Sequence, residues 1–138
     1  MSTHHTTTSW TGGMAFTSEV NGHHIALDLS PEDGGQNTGA RPKPLLLTAL
    51  AGCTGVDVVS ILNKMHVTFS DLRIEADADL SEEHPKVYTA IRLTYKIKVK
   101  DEDRDKVIKA VTLSKEKYCG VSAMLEKVCP IHWDIQYL

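Results

Sequence analysis

The sequence predicts an α+β domain in which antiparallel sheets wrap around a central buried helix. Three observations carry that prediction. Strand-like segments come in antiparallel-looking pairs and the helices are few, in the order β-β-α-β-β-α-α-β, rather than in strict alternation. Residues 87–100 show the cleanest period-2 pattern in the chain, which implies a sheet with one wet face. Residues 41–66, RPKPLLLTALAGCTGVDVVSILNKMH, are apolar nearly all the way round a helical wheel, the pattern of a helix buried on most sides. At 138 residues a single domain, 1–138, is expected. A chain of that length buries about two thirds of its unfolded surface without a disulfide or a metal staple.

Taken in order, residues 1–8 are polar and predict a flexible tip. Trp10 to Val20 reads as a first strand, with Gly12 and Gly13 marking a bulge or bend. Asn21-Gly22 is a hairpin signal, because both central residues of a type I′ turn need positive φ. His23 to Leu29 follows as a strand with Ile25, Leu27 and Leu29 on one face. Ser30 to Ala40, with Pro31, Gly34, Gly35 and Gly39, is a loop. A helix is expected from Pro44 to Lys64, led by Pro42 and Pro44 where the first N–H groups lack partners anyway. Its middle is small: Ala51, Gly52, Cys53, Thr54, Gly55. Each glycine there costs roughly 1 kcal/mol relative to alanine, so the close approach it permits must be used by another backbone or a ligand.

Val67 to Leu80 predicts a third strand, with Leu72, Ile74, Ala76, Ala78 and Leu80 on one face. Val87 to Lys100 is the fourth, with Ile91, Leu93, Tyr95, Ile97 and Val99 inward. Asp101 to Asp103 place negative charge at a helix start, and Val107, Ile108, Val111 and Leu113 form that helix's apolar side as far as Lys117. A short helix, Val121 to Lys127, and a closing strand, Ile131 to Leu138, complete the chain.

The net charge is −3, which argues against nucleic acid as a partner. The N-terminus lacks a basic segment followed by an apolar one, so no signal peptide is expected and the cytoplasm is the default location. Residues 44–64 approach the length of a membrane span, but Asp57 and several hydroxyls interrupt them, so a core helix and no membrane partner are expected. Three cysteines in a reducing compartment are free thiols, buried or reactive.

Cys53 lies mid-helix in an apolar setting, where it is either a small hydrophobe or a reactive thiol. Cys119 lies between two helices, where a helix N-terminus would lower its pKa; it is either reactive or inert. Cys129, before Pro130, reads as a packed thiol. Cys119, Cys129 and His132 fall short of the four-ligand pattern of a closed zinc site, so neither a metal nor another cofactor is expected. His23 and His24, adjacent on a strand, face opposite sides. Asp57, one turn after Cys53, needs a partner, either as a structural hydrogen-bond acceptor or as the orienter of a cationic group beside the thiol.

The proline-led helix with LLLTALAGCTGVDVVSIL, followed by a second cysteine in YCGVSAML, resembles the OsmC/Ohr family of organic hydroperoxide reductases and their osmotically inducible relatives. The resemblance covers nearly the whole chain and sits nearest the OsmC-like branch. It implies an intertwined homodimer with sheets around two central helices. It implies that Cys53 is the peroxidatic thiolate and Cys119 its resolving partner, with bulky organic hydroperoxides as substrates and a dithiol as reductant. In the peroxidase branch an arginine of the N-terminal strand region and a glutamate before the cysteine helix hold the thiolate. Here Gly12-Gly13 is followed by Met14, and Lys43 stands where the glutamate would lie. Arg41, Lys43, His23 and His24 are the alternative cations, with Arg41 and His24 favoured. The other reading of the same fold is a small-molecule binding or redox-sensing protein with an apolar pocket beside Cys53 and little turnover.

Overall fold

The computed structural model describes residues 2–138; Met1, part of the expected flexible tip, lies outside the described residues. The chain forms two compact units, Met1–Leu46 and Leu47–Leu138.

The first unit is an antiparallel meander of β1 (Thr6–Gly12), β2 (Ala15–Val20) and β3 (His23–Leu27). The single strand expected over residues 10–20 is thus two strands. Gly12 and Gly13, at φ +116° and +56°, reverse the chain instead of bending it. β1 begins at Thr6, inside the stretch expected to be loose, because Thr6 to Ser9 pair with Val20 to Thr17. The Asn21-Gly22 turn is present, with φ 51° and 81° and Val20 opposite His23. The loop that follows is built around the buried carboxylate of Asp28. Its Oδ1 accepts from the Leu29 N–H; its Oδ2 accepts from the N–H groups of Gln36 and Thr38 and from the Thr38 hydroxyl. Those bonds, the Thr38 hydroxyl foremost, hold the Asp28 pKa down at about 2. The loop closes where Ala40 bridges to Leu27. Gly35 and Gly39 lie so close to the backbones of Leu29 and Ala26 that any Cβ would collide with them.

In the second unit α1 (Leu45–Lys64) is followed by β4 (Phe69–Leu80), β5 (Tyr88–Val99), α2 (Arg104–Leu113), α3 (Gly120–Leu125) and β6 (Ile131–Tyr137). The sheet order is β4-β5-β6. β4 pairs antiparallel with β5, whereas β6 joins β5 in parallel, so this sheet is mixed. Parallel neighbours need a long crossover, and α2 and α3 supply it. Ile91, Leu93, Tyr95 and Ile97 of β5 are buried as their alternation predicts. They pack with Leu50, Val58 and Leu62 of α1 and Val107, Ala110 and Val111 of α2. Ile108, expected inside, is exposed; Ala110, three residues after Val107, takes the buried place. After Leu113 the helix widens into a π-type turn, Ser114–Tyr118, before α3 begins.

One stripe of α1 is buried: Leu50, Thr54, Val58 and Leu62. The expectation of a helix covered on most sides is therefore not met within the chain. Val56 is 70% exposed, and Thr48, Ala51, Gly52, Gly55, Val59, Ser60 and Asn63 line an open groove of about 860 Å³ with Leu72 and Ile74 of β4. By length and composition α1 could cross a membrane. It is nevertheless a core helix of this unit: its buried stripe packs on β5, and Thr54 is hydrogen-bonded to Tyr95 there.

Candidate functional site

α1 and the turn before α3 bring two cysteines together. Cys53 is half-buried on α1, and Cys119 is buried at the N-cap of α3, 66 positions later. Both are free thiols, and Cys53 is one of the neighbours that raise the Cys119 pKa. Cys119 Sγ accepts the Ser122 N–H at 3.4 Å, so the sulfur occupies the place of a capping oxygen. Of the two readings open to this thiol, acidified by a helix start or inert, burial favours the second: it pushes the Cys119 thiol up to about 11. The Ser122 N–H lowers it, but the neighbouring Cys53 and Asp57 raise it further. A helix of one and a half turns brings few aligned peptide dipoles against that desolvation.

Asp57 has a hydroxyl as its partner. Ser114 Oγ donates to Asp57 Oδ2 at 2.9 Å. Thr54 Oγ1 lies 2.8 Å from Ser114 Oγ and 2.7 Å from the Tyr95 hydroxyl. Each hydroxyl has one proton. Ser114 spends its proton on the carboxylate, so Thr54 donates to Ser114 and Tyr95 donates to Thr54. Burial pushes the Tyr95 phenol up to about 12, so it remains the neutral donor at the head of this chain. Of the two roles open to Asp57 in the sequence, the structure shows the structural acceptor.

Arg41 and His24 belong to the first unit. Arg41 Nη1 donates to Asn37 Oδ1 at 2.8 Å and to the Gly39 carbonyl at 3.1 Å, and His24 is exposed on β3 opposite Glu19. In the second unit Lys115 pairs with Glu126 and Lys96 with Glu75. Cys129 is buried in the core and His132 is exposed on β6. Among the described residues no three His, Cys, Asp or Glu side chains are grouped to hold a metal. The sequence reading missed Thr54, Tyr95, Ser114 and Ser122. Their signal was a hydroxyl at an inward position: Tyr95 in the apolar alternation of β5, and Ser114 three residues after Val111. The Ser122 hydroxyl is buried without a hydrogen-bond partner.

The sequence model of the OsmC-like protein family matches residues 35–134. Protein YhfA of Escherichia coli K12 is 36% identical over 123 residues, which is 88% of this chain and 89% of the relative. Among solved structures, a hypothetical protein of Aquifex aeolicus VF5 superposes with a TM-score of 0.82 at 29% identity, covering 100% of this chain and 99% of that one. The organic hydroperoxide resistance protein OhrB of Bacillus subtilis superposes with a TM-score of 0.64 at 20% identity over 97% of this chain and 98% of its own, a likeness of fold. The family match spans most of the chain, and the chain belongs to the OsmC-like family.

Proposed function

We propose that this chain is a thiol-dependent peroxidase that reduces organic hydroperoxides through Cys53 and Cys119. Membership of the OsmC-like family supports a redox or peroxide-related role. What supports the finer reading is that two free thiols so distant in sequence are neighbours, Cys53 being among the groups that raise the Cys119 pKa. In the first step the Cys53 thiolate attacks the terminal peroxide oxygen. The O–O bond breaks, the alkoxide takes a proton to leave as alcohol, and Cys53 becomes a sulfenic acid. In the second step the Cys119 sulfur displaces hydroxide from Cys53, which leaves with the thiol proton as water, and a disulfide forms. A dithiol reductant restores both thiols by exchange. A desolvated thiol needs a positive neighbour to ionise at neutral pH. OhrB, named for organic hydroperoxide resistance, points to the same substrate class.

The proposed working unit is a cytoplasmic homodimer, each copy a single OsmC-like domain. The open apolar groove on α1 supports it, since a face carrying Val56 and Val59 gains by being covered. Free thiols suit a reducing compartment. The test is titration of the reduced protein with cumene hydroperoxide. One equivalent is expected to form one Cys53–Cys119 disulfide, read by mass spectrometry, and Cys53→Ser is expected to abolish consumption. Consumption by Cys53→Ser equal to the parent's would end this reading. The high Cys119 pKa favours a second reading, a binding or redox-sensing protein with little turnover. That protein would bind an apolar ligand saturably while consuming almost no peroxide.

A further inference from the structure

The carboxylate of Asp57 does more than find a partner for itself. It lies one helical turn after Cys53 and accepts from the Ser114 hydroxyl at 2.9 Å. Ser114 opens the π-type turn Ser114–Tyr118, and its carbonyl accepts the Cys119 N–H at 2.8 Å. One residue thus joins the two cysteine-bearing segments: its side chain grips α1, and its backbone holds the residue that carries the second thiol. Ser114 is fully buried, and Thr54 holds the same hydroxyl from the other side at 2.8 Å. Turns of π type cluster at functional sites because they re-aim a side chain that a regular helix would point elsewhere.

We propose that Asp57, acting through Ser114, is the positioning residue that holds Cys119 against Cys53 for disulfide closure. The chemistry of the step rests on the peroxidase reading: the Cys53 S–O bond breaks, the S–S bond forms, and water leaves with the Cys119 proton. The organic hydroperoxide is the oxidant and a dithiol the reductant. The latch itself is independent of which oxidant is used. Its value lies in proximity, since closing a disulfide between two held thiols is an intramolecular reaction whose rate follows their orientation.

Three variants test the latch. Asp57→Ala and Ser114→Ala remove the bond. Asp57→Asn keeps an acceptor oxygen for Ser114 and removes the charge. After one equivalent of cumene hydroperoxide, sulfenic acid at Cys53 is trapped with dimedone, and disulfide closure is followed separately by quenched mass spectrometry. Asp57→Ala and Ser114→Ala are expected to form the sulfenic acid at the parent's rate and to close roughly tenfold more slowly or worse, while Asp57→Asn recovers most of the closure rate. Closure at the parent's rate in both alanine variants overturns the proposal, as does an Asp57→Asn protein that closes as slowly as Asp57→Ala. A second measurement separates this failure from failure of the peroxidase reading. Equilibration with glutathione gives the effective concentration of the Cys53–Cys119 pair without any peroxide. A fall of roughly tenfold in Ser114→Ala supports the latch even where the parent ignores hydroperoxide, and an unchanged value sinks it.

Discussion

Thr54→Val replaces a hydroxyl by a methyl of nearly the same shape in the middle of the buried chain from Tyr95 to Asp57. Thr54 is 2% exposed and Tyr95 1%, so water cannot replace what is lost. Two hydrogen bonds disappear, at 2.7 and 2.8 Å. Their net worth is about 1 kcal/mol each, and the Tyr95 O–H left without an acceptor adds a desolvation cost of about 1–2 kcal/mol. The expected destabilisation is about 2–4 kcal/mol. Tyr95→Phe makes the informative comparison. It removes one bond but leaves Thr54 donating to Ser114, so no buried donor is orphaned, and about 1 kcal/mol is expected. Urea denaturation at one fixed protein concentration measures both, the concentration being held because self-association would add its own term. A Thr54→Val protein no less stable than Tyr95→Phe would show that the donor order derived for these hydroxyls is wrong.

Asp28→Asn addresses the loop of the first unit. The Asp28 pKa lies at about 2 when folded against an ordinary 3.8, so its contribution is fully present above the ordinary value and is lost as pH falls through about 2. The stability of the parent should therefore drop between about pH 4 and pH 2, and that slope should flatten in Asp28→Asn, as followed by urea melts across the window. An equal slope in both would remove Asp28 as its source. The sign reverses for Cys119, a thiol raised to about 11 from an ordinary 9.0. Its contribution is present below the ordinary value and disappears as pH rises through about 11, so alkaline unfolding should be blunted in Cys119→Ala. Val56→Glu tests the dimer. On an open surface such a change stays within about 0.5 kcal/mol, whereas under a second copy it places a charge in an apolar interface. Sedimentation equilibrium should find the variant monomeric; an unchanged assembly would mean this face is not the interface.

Local patterns along the chain were enough for much of this protein. The alternation over residues 87–100 placed β5 and its buried face, Asn21-Gly22 placed a hairpin, and the uninterrupted apolar run placed α1. Each follows from a period or a turn geometry that neighbouring residues impose on one another. The motif around Cys53 likewise carried the family. Pairings between remote segments were beyond such patterns. β6 lies parallel to β5 because two helices carry the chain across, a matter of connection and not of strand composition. The meeting of Cys53 with Cys119 and the link from Asp57 to Ser114 depend on how α1, the π-type turn and β5 pack together. So does the raised pKa of Cys119: a capping position favours the thiolate locally, but desolvation is set by everything folded around it.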